Sequence, residues 1–213
     1  MWFDILPSFW EGAKITIELT LFSAIIAFFL AFAAGFGRLS KYRAVRLLAT
    51  TYVEVFRGTS LFVQLFWIYF ALPLFGIMLP KMLAGVLALS LNAGAYGSEI
   101  VRSTIISVPK GQTEAAIALN MTPWQRTRLV ILPQALVMML PAFGNLIIEM
   151  LKGTALVSLV TLSDLTFVAT VLNSSIMRPT EIFSVLLVIY FVISLPFTRG
   201  IRWIEHRLSA GRY

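Results

Sequence analysis

The stretch EAAIALNMTPWQRTRLVILPQAL, residues 114–136, decides how the chain is interpreted, because it places a polar hairpin between long apolar segments. Its first half combines a carboxylate with several alanines. Its second half begins with Thr122-Pro123-Trp124-Gln125, an order typical of a helix start with a capping box and a proline at the first helical position. The stretch therefore predicts a short helix, a turn and a second helix.

The composition indicates an integral membrane protein. Of the 213 residues, 59% are hydrophobic and only 13% are charged, against about 25% charged residues in a soluble domain. A membrane-spanning helix needs about 20 apolar residues. Four clear segments of that kind are 15–36, 59–79, 83–106 and 183–204, and a fifth candidate, 129–151, is broken by Pro133 and Pro141. We therefore predict an all-α membrane protein with five transmembrane helices, in a single domain over residues 1–213.

The basic residues predict the orientation. Thirteen of the 17 lie after the first span, before the second, around the hairpin and at the end of the chain, which is the positive-inside pattern. Only Lys14, Lys81, Lys152 and Arg178 remain for the other side. This distribution predicts an outside N-terminus, an inside C-terminus and a cytoplasmic hairpin, and it accounts for the net charge of +7 without a nucleic-acid partner.

The hairpin helix has its own start and stop signals. We expect it to begin at Gln112 or Thr113, with Glu114 in the first turn, where a carboxylate suits the helix dipole. Asn120 is expected to end it in the left-handed conformation. The alanines between leave the helix thin, so that another protein can approach its backbone closely, although any loop between spans could contain such a helix.

Two further segments are neither spans nor simple loops. In residues 44–58, Val45, Leu48, Tyr52 and Phe56 recur at helical spacing, which predicts an amphipathic helix along the cytoplasmic interface. Residues 152–175 are too long for a loop and too rich in serine and threonine for a span. They predict a short helix packed inside the outer mouth of the bundle, since irregular backbone at membrane depth must be buried or line a cavity.

The hairpin resembles the EAA loop of permease subunits of bacterial binding-protein-dependent ABC importers. Three other stretches resemble the polar amino-acid branch of that family in the same order: TYVEVFRGTSLFVQLF (51–66), LNAGAYGSEIVRSTIISVPKGQTEAA (91–116) and FGNLIIEMLKGTALVS (143–158). Two positions depart from the family pattern, with Asn120 where glycine is usual and Ser60 where proline is frequent. The combination of ALNMTPWQ with MLKGTALVSLVTLSDLTF is most similar to ectoine and hydroxyectoine permeases.

The resemblance implies alternating-access import across the bacterial inner membrane. It implies a cytoplasmic dimer of ATP-binding subunits that binds ATP and Mg, a second permease subunit, identical or homologous, and a periplasmic or lipid-anchored solute-binding protein. This chain itself needs no cofactor. The residues implied to contact the ATPase are Glu114, Ala115, Ala116, Leu119 and Asn120.

Polar residues inside the spans are candidates for the solute pathway, because they are costly in a bilayer. Asn92, Tyr96 and Glu99 share one face of the third span, and Arg102 extends that face. We assign Asn92 and Tyr96 to the pathway. Glu99 and Arg102 resemble a structural pair of the family.

The proline-broken span carries a second polar face. Asn145 and Glu149 are four residues apart, and Lys152 follows one turn later. An ion pair between Glu149 and Lys152 is the structural interpretation. The functional interpretation is a zwitterion site, with Glu149 or Asn145 meeting the cationic group of the solute and the amides or Lys152 meeting its carboxylate.

Other classes of membrane protein remain open on the residues alone. A secondary transporter or channel, or a membrane-embedded lipid-modifying enzyme, would not require a coupling helix. The chain has no P-loop motif for ATP, no cysteine and no carboxylate cluster of metal-binding type. We therefore expect neither enzyme activity nor a metal site in this subunit.

Overall fold

The computed structural model describes residues 2–209, with side chains described for residues 7–204 and 207. Within that range the chain forms helices and turns and no strand. Arg212, one of the basic residues in the charge argument, lies outside the described residues. The helices are α1 (Trp2–Arg38), α2 (Arg43–Gly58), α3 (Leu61–Phe66), α4 (Lys81–Ser107), α5 (Lys110–Ala118), α6 (Pro123–Gln125), α7 (Leu132–Gly153), α8 (Leu165–Ile176) and α9 (Pro179–Ser209).

Shorter helical segments extend these helices. A π-helical turn (Trp67–Ala71) and a 3-10 turn (Leu72–Phe75) continue α3, another π-helical turn (Arg126–Ile131) joins α6 to α7, and a 3-10 segment (Thr154–Val160) follows α7. The predicted second span is therefore shorter than expected, because it ends in a left-handed turn at Gly76.

By length and composition, three helices can cross a membrane: Pro7–Arg38, Pro123–Val160 and Pro179–Ile204. A fourth candidate is the pair Arg43–Gly58 and Leu61–Phe75, which is bent by 104°. The segment predicted as the third span lies within the continuous helix α4, whose small and polar residues lower its hydropathy. The count of candidate spans is thus three or four.

Pro133 and Pro141 do not break the predicted span 129–151. Pro133 lies at the start of α7, after the π-helical turn, where its missing N–H costs little. Pro141 lies inside α7, and the helix continues through it to Gly153. Neighbouring helices let a membrane helix tolerate such a residue. The expectation of a broken helix was wrong.

Helices α1 and α4 form the centre of the molecule and pack at backbone distance. A Cβ atom added at Gly94 would lie 2.8 Å from Leu30 Cβ, and one added at Gly97 would lie 2.7 Å from Ala31 Cβ. Glycine is therefore required at both positions of α4 by close approach rather than by backbone conformation. The Tyr52 hydroxyl of α2 donates a 2.7 Å hydrogen bond to the Leu91 carbonyl of α4.

Helix α2 covers the segment predicted as an amphipathic helix, and only part of its predicted apolar face packs on the protein. Val53 is buried and Tyr52 and Phe56 are half-buried, whereas Val45 and Leu48 are exposed. The apolar face therefore packs against the bundle in the C-terminal half of the helix and is exposed in the N-terminal half.

The segment after α7 holds two helical pieces rather than the one predicted. Asp164 separates them and is buried, and its carboxylate accepts hydrogen bonds from the Thr166 and Phe167 amides at 3.2 and 3.0 Å. The Leu165 amide donates to Thr16 Oγ1 of α1 at 3.2 Å. This N-cap fixes α8 against the first helix.

Candidate functional site

A cavity of about 290 Å³ lies between α4, α7 and the corner where α2 passes into α3. Its volume is close to the lower end of the roughly 300–1,000 Å³ of small-molecule pockets. Its polar lining residues are Thr59, Ser60, Asn92, Tyr96 and Glu149, and apolar side chains complete the wall. A neighbouring cavity of about 220 Å³ is lined by apolar residues alone. The structure therefore brings three of the four predicted pathway residues to one cavity.

Asn92 is held by a hydrogen-bond network that sequence reasoning missed. Its Nδ2 donates to the Phe56 carbonyl and to Gln64 Oε1, both at 3.1 Å. Gln64 Nε2 in turn donates to the Phe56 carbonyl at 2.9 Å and to Thr59 Oγ1 at 2.7 Å. Both N–H groups of Asn92 are thereby used, and its Oδ1 is the atom left to accept a hydrogen bond from a ligand. Gln64 is 8% exposed, and a buried glutamine in an apolar span was the available signal.

Glu149 and Tyr96 supply the remaining polar groups of the wall. Glu149 is exposed, and Tyr96 is 42% exposed. Among the described residues, no ion pair or hydrogen bond joins Glu149 to another side chain, so its carboxylate is available to a cation. The cavity wall thus presents an anionic group on α7 and a neutral acceptor on α4.

Two expectations for α7 differ from the structure. The Glu149–Lys152 ion pair is absent from the described residues, and both side chains are exposed. Asn145 is exposed one turn before Glu149 and does not line the cavity. It lies on the same face of α7 as Glu149 but outside the cavity.

Glu99 lies next to the cavity at the centre of an arginine cluster, which consists of Arg38, Arg57, Arg102 and Glu99. The expected contact with Arg102 is present, with Nη2 at 2.6 Å from Glu99 Oε1. Arg38 Nη1 lies 2.5 Å from Oε2, and Arg57 Nη1 lies 3.7 Å from the same oxygen. The carboxylate therefore joins the ends of α1 and α2 to α4. Sequence reasoning missed Arg38 and Arg57, which are remote in the chain.

Helix α5 begins earlier than predicted, at Lys110, so Glu114 lies beyond the first turn. Pro109 precedes the helix, and a proline there leaves no amide to satisfy. The helix ends as expected, since Asn120 has a φ of 54°. The Met121 amide donates to the Ala116 carbonyl and the Asn120 amide to the Ile117 carbonyl, which is the Schellman arrangement. The capping box of Thr122 and Gln125 is also present.

The surface of α5 is only partly the one predicted. Glu114, Ala115, Leu119 and Asn120 are exposed, but Ala116 is 2% exposed and faces the protein itself. Ala116 therefore cannot offer a docking surface in this structure. The exposed large apolar side chains at this end of the hairpin helix are instead Ile117, 53% exposed, and Leu119, 74% exposed.

Within the described residues, no group of three or more histidine, cysteine, aspartate and glutamate side chains is placed to hold a metal ion.

Comparison with known proteins gives concordant matches. The family model described as "Binding-protein-dependent transport system inner membrane component" matches residues 6–210. The probable amino-acid ABC transporter permease protein y4tF of Sinorhizobium fredii is 46% identical, over 99% of this chain and 91% of the relative. The L-cystine transport system permease protein TcyB of Bacillus subtilis is 41% identical, over 77% and 72%. A crystal structure of an amino acid ABC transporter with histidines superposes with a TM-score of 0.91 at 39% identity, over 97% of this chain and 96% of that one.

Proposed function

Because the chain belongs to the binding-protein-dependent transport system inner membrane components, we propose that it imports a zwitterionic solute through the cavity between α4 and α7. It is an amino-acid ABC transporter permease subunit of the inner membrane. It is not an enzyme, since ATP hydrolysis belongs to a separate subunit of such transporters. Family membership also sets aside the secondary transporter, the channel and the lipid-modifying enzyme.

The observation that carries the proposal is the polar lining of the cavity. Glu149 on one wall attracts the cationic group of an amino acid, and Asn92 Oδ1 on the opposite wall accepts a hydrogen bond from the same group. A zwitterion that leaves water needs such partners, because an unpaired ion in a low-dielectric site is very costly. Asn145, exposed on the same helix as Glu149, extends the pathway beyond the cavity.

The topology we propose has five spans, an outside N-terminus and an inside C-terminus. Helix α4 crosses the membrane as the third span, α3 and the helical turns that continue it form the second one, and α2 lies along the cytoplasmic interface. The hairpin then lies in the cytoplasm, where α5 docks on a dimer of ATP-binding subunits that holds ATP and Mg. Glu114, Ala115, Leu119 and Asn120 contact that dimer, joined by Ile117 in place of Ala116.

The exposed polar face of α7 favours a second permease subunit, identical or homologous, packed against it. Glu149, Asn145 and Lys152 are exposed on one helix of a membrane protein, and charged groups are costly against lipid. A second bundle across this face would enclose them. A periplasmic or lipid-anchored binding protein would deliver the solute to the outer mouth.

For the solute itself, the relatives and the sequence motifs suggest different candidates. The relatives include a cystine permease and a transporter crystallised with histidines. The motif combination favours ectoine or hydroxyectoine. All of these solutes carry a cationic group and a carboxylate, which is the class that the cavity fits.

The test is uptake and ATP hydrolysis side by side in vesicles reconstituted with the complete transporter. We expect ATP-dependent uptake of one of five solutes: L-cystine, L-histidine, ectoine, or the L-glutamine and L-arginine for which further related permeases are named. Glu149→Gln should lower uptake while assembly and ATP hydrolysis persist. The matched control is Glu181→Gln, which neutralises an acid that pairs with Arg178 far from the cavity. Equal uptake by the wild type and Glu149→Gln would place the pathway elsewhere.

A further inference from the structure

The arginines of the arginine cluster differ in how firmly they are held. Arg38 and Arg102 each donate a short hydrogen bond to a different oxygen of Glu99, so both carboxylate oxygens are occupied. Arg57 Nη1, at 3.7 Å, is beyond hydrogen-bond distance and interacts with Glu99 through charge alone. The Arg57 side chain is also the most exposed, at 40%, against 15% for Arg38 and 32% for Arg102.

The position of Arg57 relates it to the cavity. Its guanidinium carbon lies 5.2 Å from the centre of the Tyr96 ring, and Tyr96 lines the cavity. Two residues later the chain reaches Thr59 and Ser60, which line the same cavity. Nothing lies within 4 Å of the position that a Cβ of Gly58 would take, so the corner beside Arg57 has open space.

The described residues of the cavity wall offer no positively charged partner to the carboxylate of a solute. Among the residues that the structure describes, the wall holds the carboxylate of Glu149 and no cation, and both N–H groups of Asn92 are used within the protein. A solute carboxylate would therefore find no donor of positive charge on the wall itself. The arginine cluster beside it has three cations and one carboxylate, an excess of two positive charges.

We propose that Arg57 binds the carboxylate of the solute at the cytoplasmic floor of the cavity, a role that rests on the proposed import function. Glu99 attracts the guanidinium without occupying its N–H groups, and the Tyr96 ring holds it by a cation–π contact. When a zwitterion has its cationic group at Glu149, the long side chain of Arg57 turns from the ring to the carboxylate. A guanidinium suits this step, since it forms paired hydrogen bonds to a carboxylate. The substrate class is then a solute with a free carboxylate.

Solute binding to the purified permease–ATPase complex in nanodiscs tests this role. The probe is whichever of the five solutes the wild-type vesicles take up, in radiolabelled form, together with the same compound with its carboxylate converted to a carboxamide. The variants are Arg57→Gln and Arg57→Lys. The controls are Lys152→Gln, which removes the cation that precedes Gly153 of the cavity lining, and Arg46→Gln, which removes an exposed arginine of the same helix as Arg57.

We expect Arg57→Gln to weaken binding of the carboxylate probe by about 10- to 100-fold, as for the loss of a charge-assisted hydrogen bond, and to leave carboxamide binding unchanged. Arg57→Lys should keep part of the affinity, and it replaces Arg57→Gln if that variant does not assemble. The inference is overturned by equal losses for both probes, by no loss, by a larger loss in Lys152→Gln, or by a wild-type complex that transports the probe without binding it. A wild type without any ATP-dependent uptake would instead overturn the proposed function.

Discussion

Replacing Ser60 with proline tests the backbone geometry of the corner between α2 and α3. Ser60 has a φ of −72°, within the −65 ± 15° that proline imposes. The preceding residue, Thr59, has φ −116° and ψ 155°, which is the extended conformation that a following proline favours. Within the described residues, the Ser60 amide donates no backbone hydrogen bond that proline would remove.

The expected effect follows from the unfolded chain. At a compatible site, proline stabilises a protein by about 0.4–1 kcal/mol, because the unfolded state has fewer conformations to lose. We therefore expect Ser60→Pro to raise the free energy of unfolding by this amount, measured by denaturant titration of the purified subunit in mixed micelles. The change corresponds to roughly a two- to fivefold shift in the folding equilibrium.

Thr59→Pro is the matched control, since it introduces the same residue one position earlier. The φ of Thr59 does not suit proline, and its hydroxyl donates to the Val55 carbonyl and accepts from Gln64. This variant should be destabilised by more than Ser60→Pro is stabilised. If Ser60→Pro unfolded more easily than the wild type, the reasoning from the two dihedral angles would be refuted.

Three further predictions concern the polar network and helix α5. Asn120→Gly should be as stable as the wild type. Asn120→Val should lose about 1–2 kcal/mol of stability in the same titration, because a β-branched residue opposes the left-handed conformation. Equal stabilities of the two variants would contradict the role of the turn. Asn92→Ala and Gln64→Ala should each destabilise the protein, and a double-mutant cycle should give a coupling of about 0.5–3 kcal/mol, whereas additive losses would mean that the two amides act independently. Leu119→Asp and Ile117→Asp should each keep membrane insertion and lower ATP-coupled uptake. Unchanged uptake in both variants would remove these two side chains from the ATPase contact.

The sequence predicted the features that are set by neighbouring residues. The left-handed Asn120 and the capping box of Thr122 and Gln125 depend on backbone and side-chain groups within a few positions, so a single stretch carries the whole signal. The contact of Glu99 with Arg102 belongs to the same class, since one helical turn joins them.

The features that were missed depend on contacts between distant segments. Arg38 reaches Glu99 across 61 positions of the chain, and Gln64 reaches Asn92 across 28. Periodicity places Ala116 on a helix but does not say which face packs on the rest of the protein, and that face proved to be the one with Ala116. Helical spacing permits an ion pair between residues one turn apart, such as Glu149 and Lys152, but does not require it. Water or a partner protein can satisfy each charge separately.

The backbone contact of α1 with α4 has a mechanical consequence for the cavity. At Gly94 and Gly97 the two helices leave no room for a side chain, so we expect α1 and α4 to move as one rigid unit. Any larger residue at either position would push the helices apart. Asn92, Tyr96 and Glu99 all belong to α4 and therefore to this rigid unit. A change in cavity shape therefore has to come from α7, which carries Glu149, or from the corner between α2 and α3, which lies beside Arg57. Because Glu149 and Arg57, the proposed partners of the two ends of a zwitterion, lie on these two separate elements, the solute would be released when the elements move apart.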